Sequence, residues 1–151
     1  VKYRIGVRRE TRSSTPTTAL TAAARAALAQ ARSKTASLTI VLTDDGRMRR
    51  LNARFAGENH TTDVLAFPSD DVAGDPGYLG DVVISLPQAR RQARRLKVPL
   101  LQELALLVVH GSLHLTGLDH KSAGERRRMW GIQSAALRRL SIDPDRLEVG
   151  G

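Results

Sequence analysis

The sequence contains no cysteine, which excludes disulfides and thiolate metal ligands and is compatible with a reducing compartment. Aromatic residues make up only 3% of the chain, too few for the base-stacking platform by which single-strand-binding proteins usually hold nucleic acid. Long apolar runs are missing as well. The longest, Leu104 to Val109, is far too short to cross a bilayer, and the N-terminal stretch KYRIGVRRE lacks a secretory apolar core. A soluble intracellular protein with no membrane partner is the expectation. With 151 residues, no linker-like stretch and no internal repeat, residues 1–151 read as a single domain with a sizeable core.

Acidic residues are also in short supply, 15 against 24 basic ones, for a net charge of +9. Such a balance favours a polyanionic partner, most simply nucleic acid. Arginines cluster around Arg47–Arg54, at Arg126–Arg128 and at Arg90, Arg91, Arg94 and Arg95. On a helix over 87–96 the last group forms two i, i+4 rows, and Arg90, Arg91 and Arg94 become candidates for following a phosphate backbone. The bland alternative is a solvated face in an arginine- and alanine-rich chain. With so few aromatics, contact with nucleic acid is expected mainly through phosphates.

What the chain does have is histidine in a concentrated form. Three of its four histidines lie in His110-Gly-Ser-Leu-His114-Leu-Thr-Gly117-Leu-Asp-His120. His110 and His114, four residues apart, project from one face of a helix. Gly117 lets that helix end in a left-handed turn, so that His120 returns to the same point. Three neutral imidazoles leave a coordination position free for water, the arrangement of a catalytic zinc site. Zinc suits this donor set best, and nickel, cobalt and iron stay open.

Along the chain, strands are expected at Lys2–Arg8, Ser37–Thr43, Asp63–Phe67 and Gly80–Ser85, the third stopped by Pro68. Helices are expected from Pro16 to about Arg32, over 46–55, from Pro87, from Pro99 to about Thr116, and from a capping box at Ser122–Glu125 through Leu140. The helix after Pro99 is apolar on nearly all sides and should run through the core. Its Gly111 costs about 1 kcal/mol relative to alanine, which points to close approach by another backbone or a ligand. Trp130 reads as the large anchor of the last helix. The pattern indicates an α+β domain, a mixed sheet packed with helices around a central buried one.

These residues together resemble the YbeY family of bacterial endoribonucleases. The likeness runs from about Ile40 to Trp130. It rests on Leu51-Asn52 through Thr62-Asp63-Val64-Leu65-Ala66-Phe67-Pro68, on Leu79-Gly80-Asp81-Val82-Val83-Ile84-Ser85, and on the histidine block preceded by LALLVV. The resemblance implies a loosely zincin-like fold, with Zn2+ on His110, His114 and His120. It also implies cytoplasmic action on single-stranded RNA, in maturation of ribosomal RNA of the small subunit and in ribosome quality control. Where the family has an arginine associated with activity this chain has Ala56, and Thr61 and Leu118 replace a proline and a tyrosine. Without a cation at 56 to meet developing phosphorane charge, cleavage is expected to be weak unless another arginine substitutes.

The chemistry expected is phosphodiester hydrolysis by a metal-bound water, with arginines holding the flanking phosphates. No general base stands out. Asp119, beside a ligand, either orients a histidine or caps a turn. Glu103, seven residues before His110 on the same face, reads as half of a buried structural pair. Asp63 and Asp81, at strand starts, read as partners of loop backbone. The offsets His110, His114, Gly117 and His120 also coincide with the HExxHxxGxxH pattern of metzincin proteases, but Gly111 replaces the glutamate that handles the proton. A third reading is a non-catalytic, metal-containing ribosome-assembly factor.

Overall fold

The computed structural model describes residues 2–55, 62–69 and 77–148. Ala56 and Thr61 therefore lie outside the described residues. Four strands, β1 (Tyr3–Arg9), β2 (Ala36–Thr43), β3 (Val64–Pro68) and β4 (Tyr78–Ser85), form one sheet in the order β1-β2-β4-β3. The first three neighbours in that order run parallel, and β3 pairs antiparallel with β4 along the edge. The helices are α1 (Thr17–Gln30), α2 (Asp45–Phe55), α3 (Leu86–Leu96), α4 (Leu100–Leu115) and α5 (Ala123–Arg139). A short 3-10 turn at Pro144–Arg146 follows, too brief to leave a periodic signal in the sequence. This is the α+β class with a mixed sheet. Pro68 belongs to β3 rather than stopping it, because the last residue of an edge strand need not donate to a ladder.

The period-2 alternation of the central strands sorts the core into two layers. Leu38, Ile40 and Leu42 of β2 and Val82 and Ile84 of β4 join the large cluster under α1 and α4. Val41 and Val83, one residue out of phase, join Met48 of α2 on the other face. That is why Ile40, Val41 and Leu42 are apolar in succession: both faces of β2 are covered there.

Helix α4 is the axis of the larger layer, packed against α1, α3, α5, β3 and β4. Leu104, Leu106, Leu107 and Leu113 are all buried, each contributing about 1.5–3 kcal/mol relative to exposure. A Cβ built at Gly111 would lie 2.5 Å from Val82 Cγ1 and 3.4 Å from Val64 Cγ2. The close approach expected at Gly111 is therefore made by sheet side chains, not by a backbone or a ligand. Among the described residues no single helix is long and apolar enough to cross a membrane.

Helix α5 corrects the reading of Trp130. Its inward stripe is Met129, Gln133, Ala136 and Leu137, and Trp130, one position round from Met129, is 48% exposed. Ser122 does cap the helix, its Oγ accepting from the Glu125 N–H at 3.1 Å.

Candidate metal centre

The site grows out of the last turn of α4. His110 and His114 occupy its cleft-facing side one turn apart, with ring centroids 4.6 Å from each other. The helix then closes in a Schellman motif: the Leu118 N–H donates to the Leu113 carbonyl at 3.3 Å and the Gly117 N–H to the His114 carbonyl at 3.0 Å. Gly117, at φ +99°, supplies the left-handed residue that this turn requires. The reversal brings the His120 ring to 5.1 Å from His114 and 6.0 Å from His110, centroid to centroid. Ligand atoms of all three rings fall within 4.8 Å of one another.

The hydrogen bonds around the rings decide where their lone pairs point. Gln133 Oε1 lies 2.9 Å from His110 Nδ1, so Nδ1 carries the proton and Nε2 is left as an acceptor. His114 is bonded to the Leu118 backbone, and its Nε2 faces His110 Nε2 at 3.1 Å. Two imidazoles on one tetrahedral ion at about 2.0–2.1 Å would place their nitrogens about 3.3 Å apart. The donor set and its spacing fit a divalent cation. Burial pushes His110 down to about 4, outweighing the Gln133 bond, with the other two histidines adding to the effect. Burial lowers His114 too. Both rings are thus neutral, as ligands must be, at physiological pH.

Two further side chains support the site. Asp119 Oδ1 accepts from the His120 backbone N–H at 2.7 Å, so of the two roles expected for this carboxylate it takes the turn cap, on the turn that carries His120, and this contact, with the Lys121 ammonium beside it, holds it below the usual carboxylate range. Gln133, which orients His110, went unnoticed in the sequence. The available signal was a polar residue four places after Met129 on an otherwise apolar stripe.

Edge strand β3 and the residues before it form the opposite wall of the cleft, where Asp63, Val64 and Ala66 face His110, Gly111 and His114 around a cavity of about 380 Å³. Asp63 is buried, and its backbone carbonyl accepts from Ser85 N–H at 3.0 Å. Asp81 lies inside β4 rather than at its start, and there it accepts from the Tyr78 hydroxyl and, among the described residues, from no loop backbone. Glu103 is fully buried, yet neither carboxylate oxygen has a hydrogen-bond partner among the described residues. Among the described residues the structural pair expected for it is not there. Burial, and next to it the charge of Asp63, pushes its carboxyl up to about 8, so it is protonated at neutral pH.

The arginines of α3 divide. Arg91 forks onto Asp45 at 2.9 Å and reaches Gln88, while the Asp45 carboxylate also accepts from Ser85 Oγ at 2.7 Å. Arg95 pairs with Glu148. Arg90 and Arg94 are exposed and carry no ion pair among the described residues.

With this geometry in view, known proteins are similar along most of the chain. A family model described as Endoribonuclease YbeY matches residues 6–141. A protein named Endoribonuclease YbeY from Gloeobacter violaceus is 48% identical over 111 residues, which cover 70% of this chain and 57% of that relative. Its namesake from Myxococcus xanthus is 41% identical over 133 residues, 86% of this chain and 45% of the relative. The chain thus spans about half the length of these two relatives. The solution structure of TM1509 from Thermotoga maritima superposes with a TM-score of 0.58 at 21% identity, over 92% of this chain and 91% of that one, and shares the fold. The chain belongs to the YbeY endoribonuclease family.

Proposed function

We propose that this protein is a metal-dependent endoribonuclease that hydrolyses phosphodiester bonds in single-stranded RNA. The observation that carries the reading is the convergence of His110, His114 and His120 within 4.8 Å in a cleft open to solvent. The name Endoribonuclease YbeY, which the two relatives above carry, supports the choice of RNA. Zinc is the cation the three imidazoles favour, and when bound it supplies Lewis acidity toward a phosphate oxygen and a lowered pKa for water. The chain's own residues hold and orient. Gln133 fixes the His110 ring, Asp119 fixes the backbone of His120, and Arg90 and Arg94 meet flanking phosphates without reading bases. Within this reading the RNA is ribosomal, from the small subunit, and the work is cytoplasmic rRNA maturation and ribosome quality control.

A protease reading has less support. Position 111 faces Val82 of the sheet, so a proton-handling glutamate has no room there. A non-catalytic assembly factor remains the second reading, favoured by Ala56. The test is single-turnover cleavage of a labelled single-stranded RNA, its matched duplex and an unstructured protein substrate. Cleavage of the single strand alone, slow and accelerated by Ala56→Arg, is expected. Binding without cleavage in both backgrounds would favour the assembly factor, and proteolysis would overturn the assignment.

A further inference from the structure

Trp130 is the chain's only tryptophan, and α5 holds it half-exposed beside the metal centre. Arg126, Trp130 and Gln133 follow one another at i, i+4 and i+7, so they form a row along one side of α5. That row walls a groove of about 400 Å³, distinct from the cleft against β3 but sharing His110 and His120 with it. The histidine cluster therefore has two flanks, one bounded by β3 and one by α5.

The α5 flank has a particular chemistry. Met129 and Leu147 give it an apolar floor, Trp130 a planar wall, and Arg126 a cation. The Arg126 guanidinium is 3.4 Å from the His120 carbonyl, which ties this cation to the loop of a metal ligand. The groove's one carboxylate, Glu148, is paired with Arg95 of α3, so it does not repel a polyanion. The same ion pair joins the groove wall to the helix that carries Arg90 and Arg94. A metal centre, an apolar slot with an aromatic face and a run of cations thus adjoin one another.

We infer that this groove is a nucleobase subsite: a base next to the phosphate at the histidine cluster stacks on Trp130 while Arg126 meets an adjoining phosphate. A strand whose phosphate sits at the cluster must lay its neighbouring nucleotides along one flank or the other. The α5 flank offers a base both a π-face and a surface that gains from losing water. A single stacking wall selects for unpaired bases, since a base inside a duplex presents no free face. It carries no hydrogen-bond readout, so it discriminates by strandedness more than by sequence. The low aromatic content pointed mainly to phosphate contacts; one aromatic placed at the centre is enough for one base.

The inference rests on the RNA reading above, and the experiment separates the two. Because Trp130 is the only tryptophan, its fluorescence reports this groove alone. The probes are a short single-stranded oligoribonucleotide and an abasic phosphodiester strand of equal length, with binding followed separately by anisotropy of a labelled end. Saturable quenching by the oligoribonucleotide but not by the abasic strand is expected. Trp130→Ala should weaken oligoribonucleotide binding about five- to 150-fold, the range for removing one stacked base, and Trp130→Phe should keep most of the affinity. Binding by anisotropy with unchanged tryptophan emission, or equal quenching by both strands, overturns the base subsite and leaves the RNA reading standing. If neither probe reports binding of the oligoribonucleotide, both fall. Should Trp130→Ala fail to fold, the quenching comparison on the unaltered protein still decides.

Discussion

His110 Nε2 and His114 Nε2 face each other at 3.1 Å, with a partner for each ring fixed on its far side. Lone pair against lone pair is unfavourable unless a proton or a cation lies between them. The helix supplies the spacing, and Gln133, on a different helix, supplies the orientation.

Gln133→Leu should therefore weaken metal binding without removing a ligand. Removal of such an outer partner typically costs about 10- to 100-fold in affinity, measurable by competition with a chelating indicator. Unchanged affinity would mean that packing alone orients His110.

Glu103 ties stability to pH. Its carboxyl is raised in the fold from 4.5 to about 8, so the folded state holds a proton that the unfolded chain gives up. Its effect is most favourable below pH 4.5, declines as pH rises through the window to about 8, and is constant above it. Glu103→Gln, neutral at every pH, should flatten this decline and raise stability most at pH 8.5. Urea midpoints at pH 5.5 and 8.5 for both proteins are the check. An equal drop at both values would show that Glu103 does not change its protonation between them.

Gly111→Ala should destabilise the protein. Overpacking against Val82 costs about 1–3 kcal/mol, more than the roughly 1 kcal/mol that alanine returns in helix propensity. Combined with Val82→Ala the destabilisation should fall well below the sum of the single changes, because the two side chains compete for one space. Additive denaturation midpoints would place the conflict elsewhere.

Replacing Arg90 and Arg94 by alanine should reduce the salt dependence of RNA binding, by about 0.7 in log–log slope for each phosphate that is no longer neutralised. Arg91→Ala should change that slope less, because its guanidinium is committed to Asp45. A slope unaltered by the double change would make the exposed row a solvated face.

The histidine cluster was legible because it is local. Helix geometry aligns His110 with His114, and the positive φ of Gly117 turns His120 back, all within eleven residues. The strands and helices were legible for the same reason, through alternation, prolines and caps. What escaped the sequence is set by contacts across the chain. Gln133 meets a ring 23 residues away, and Arg91 meets a carboxylate 46 residues away. Trp130 misleads because size suggests burial, whereas the neighbouring Met129 takes the inward place on α5. Gly111 announced a close contact, but only the fold identifies Val82 as the partner.

The proposed RNA cleavage depends on a cation held by His110, His114 and His120. Its most direct test is single-turnover cleavage of single-stranded RNA by chelator-treated protein titrated with zinc, with His114→Ala in parallel. Activity should vanish on chelation, return to a plateau at one equivalent per chain, and stay absent in His114→Ala at every zinc concentration. Undiminished cleavage by metal-depleted protein, or by His114→Ala, would rule out a catalytic cation at these histidines.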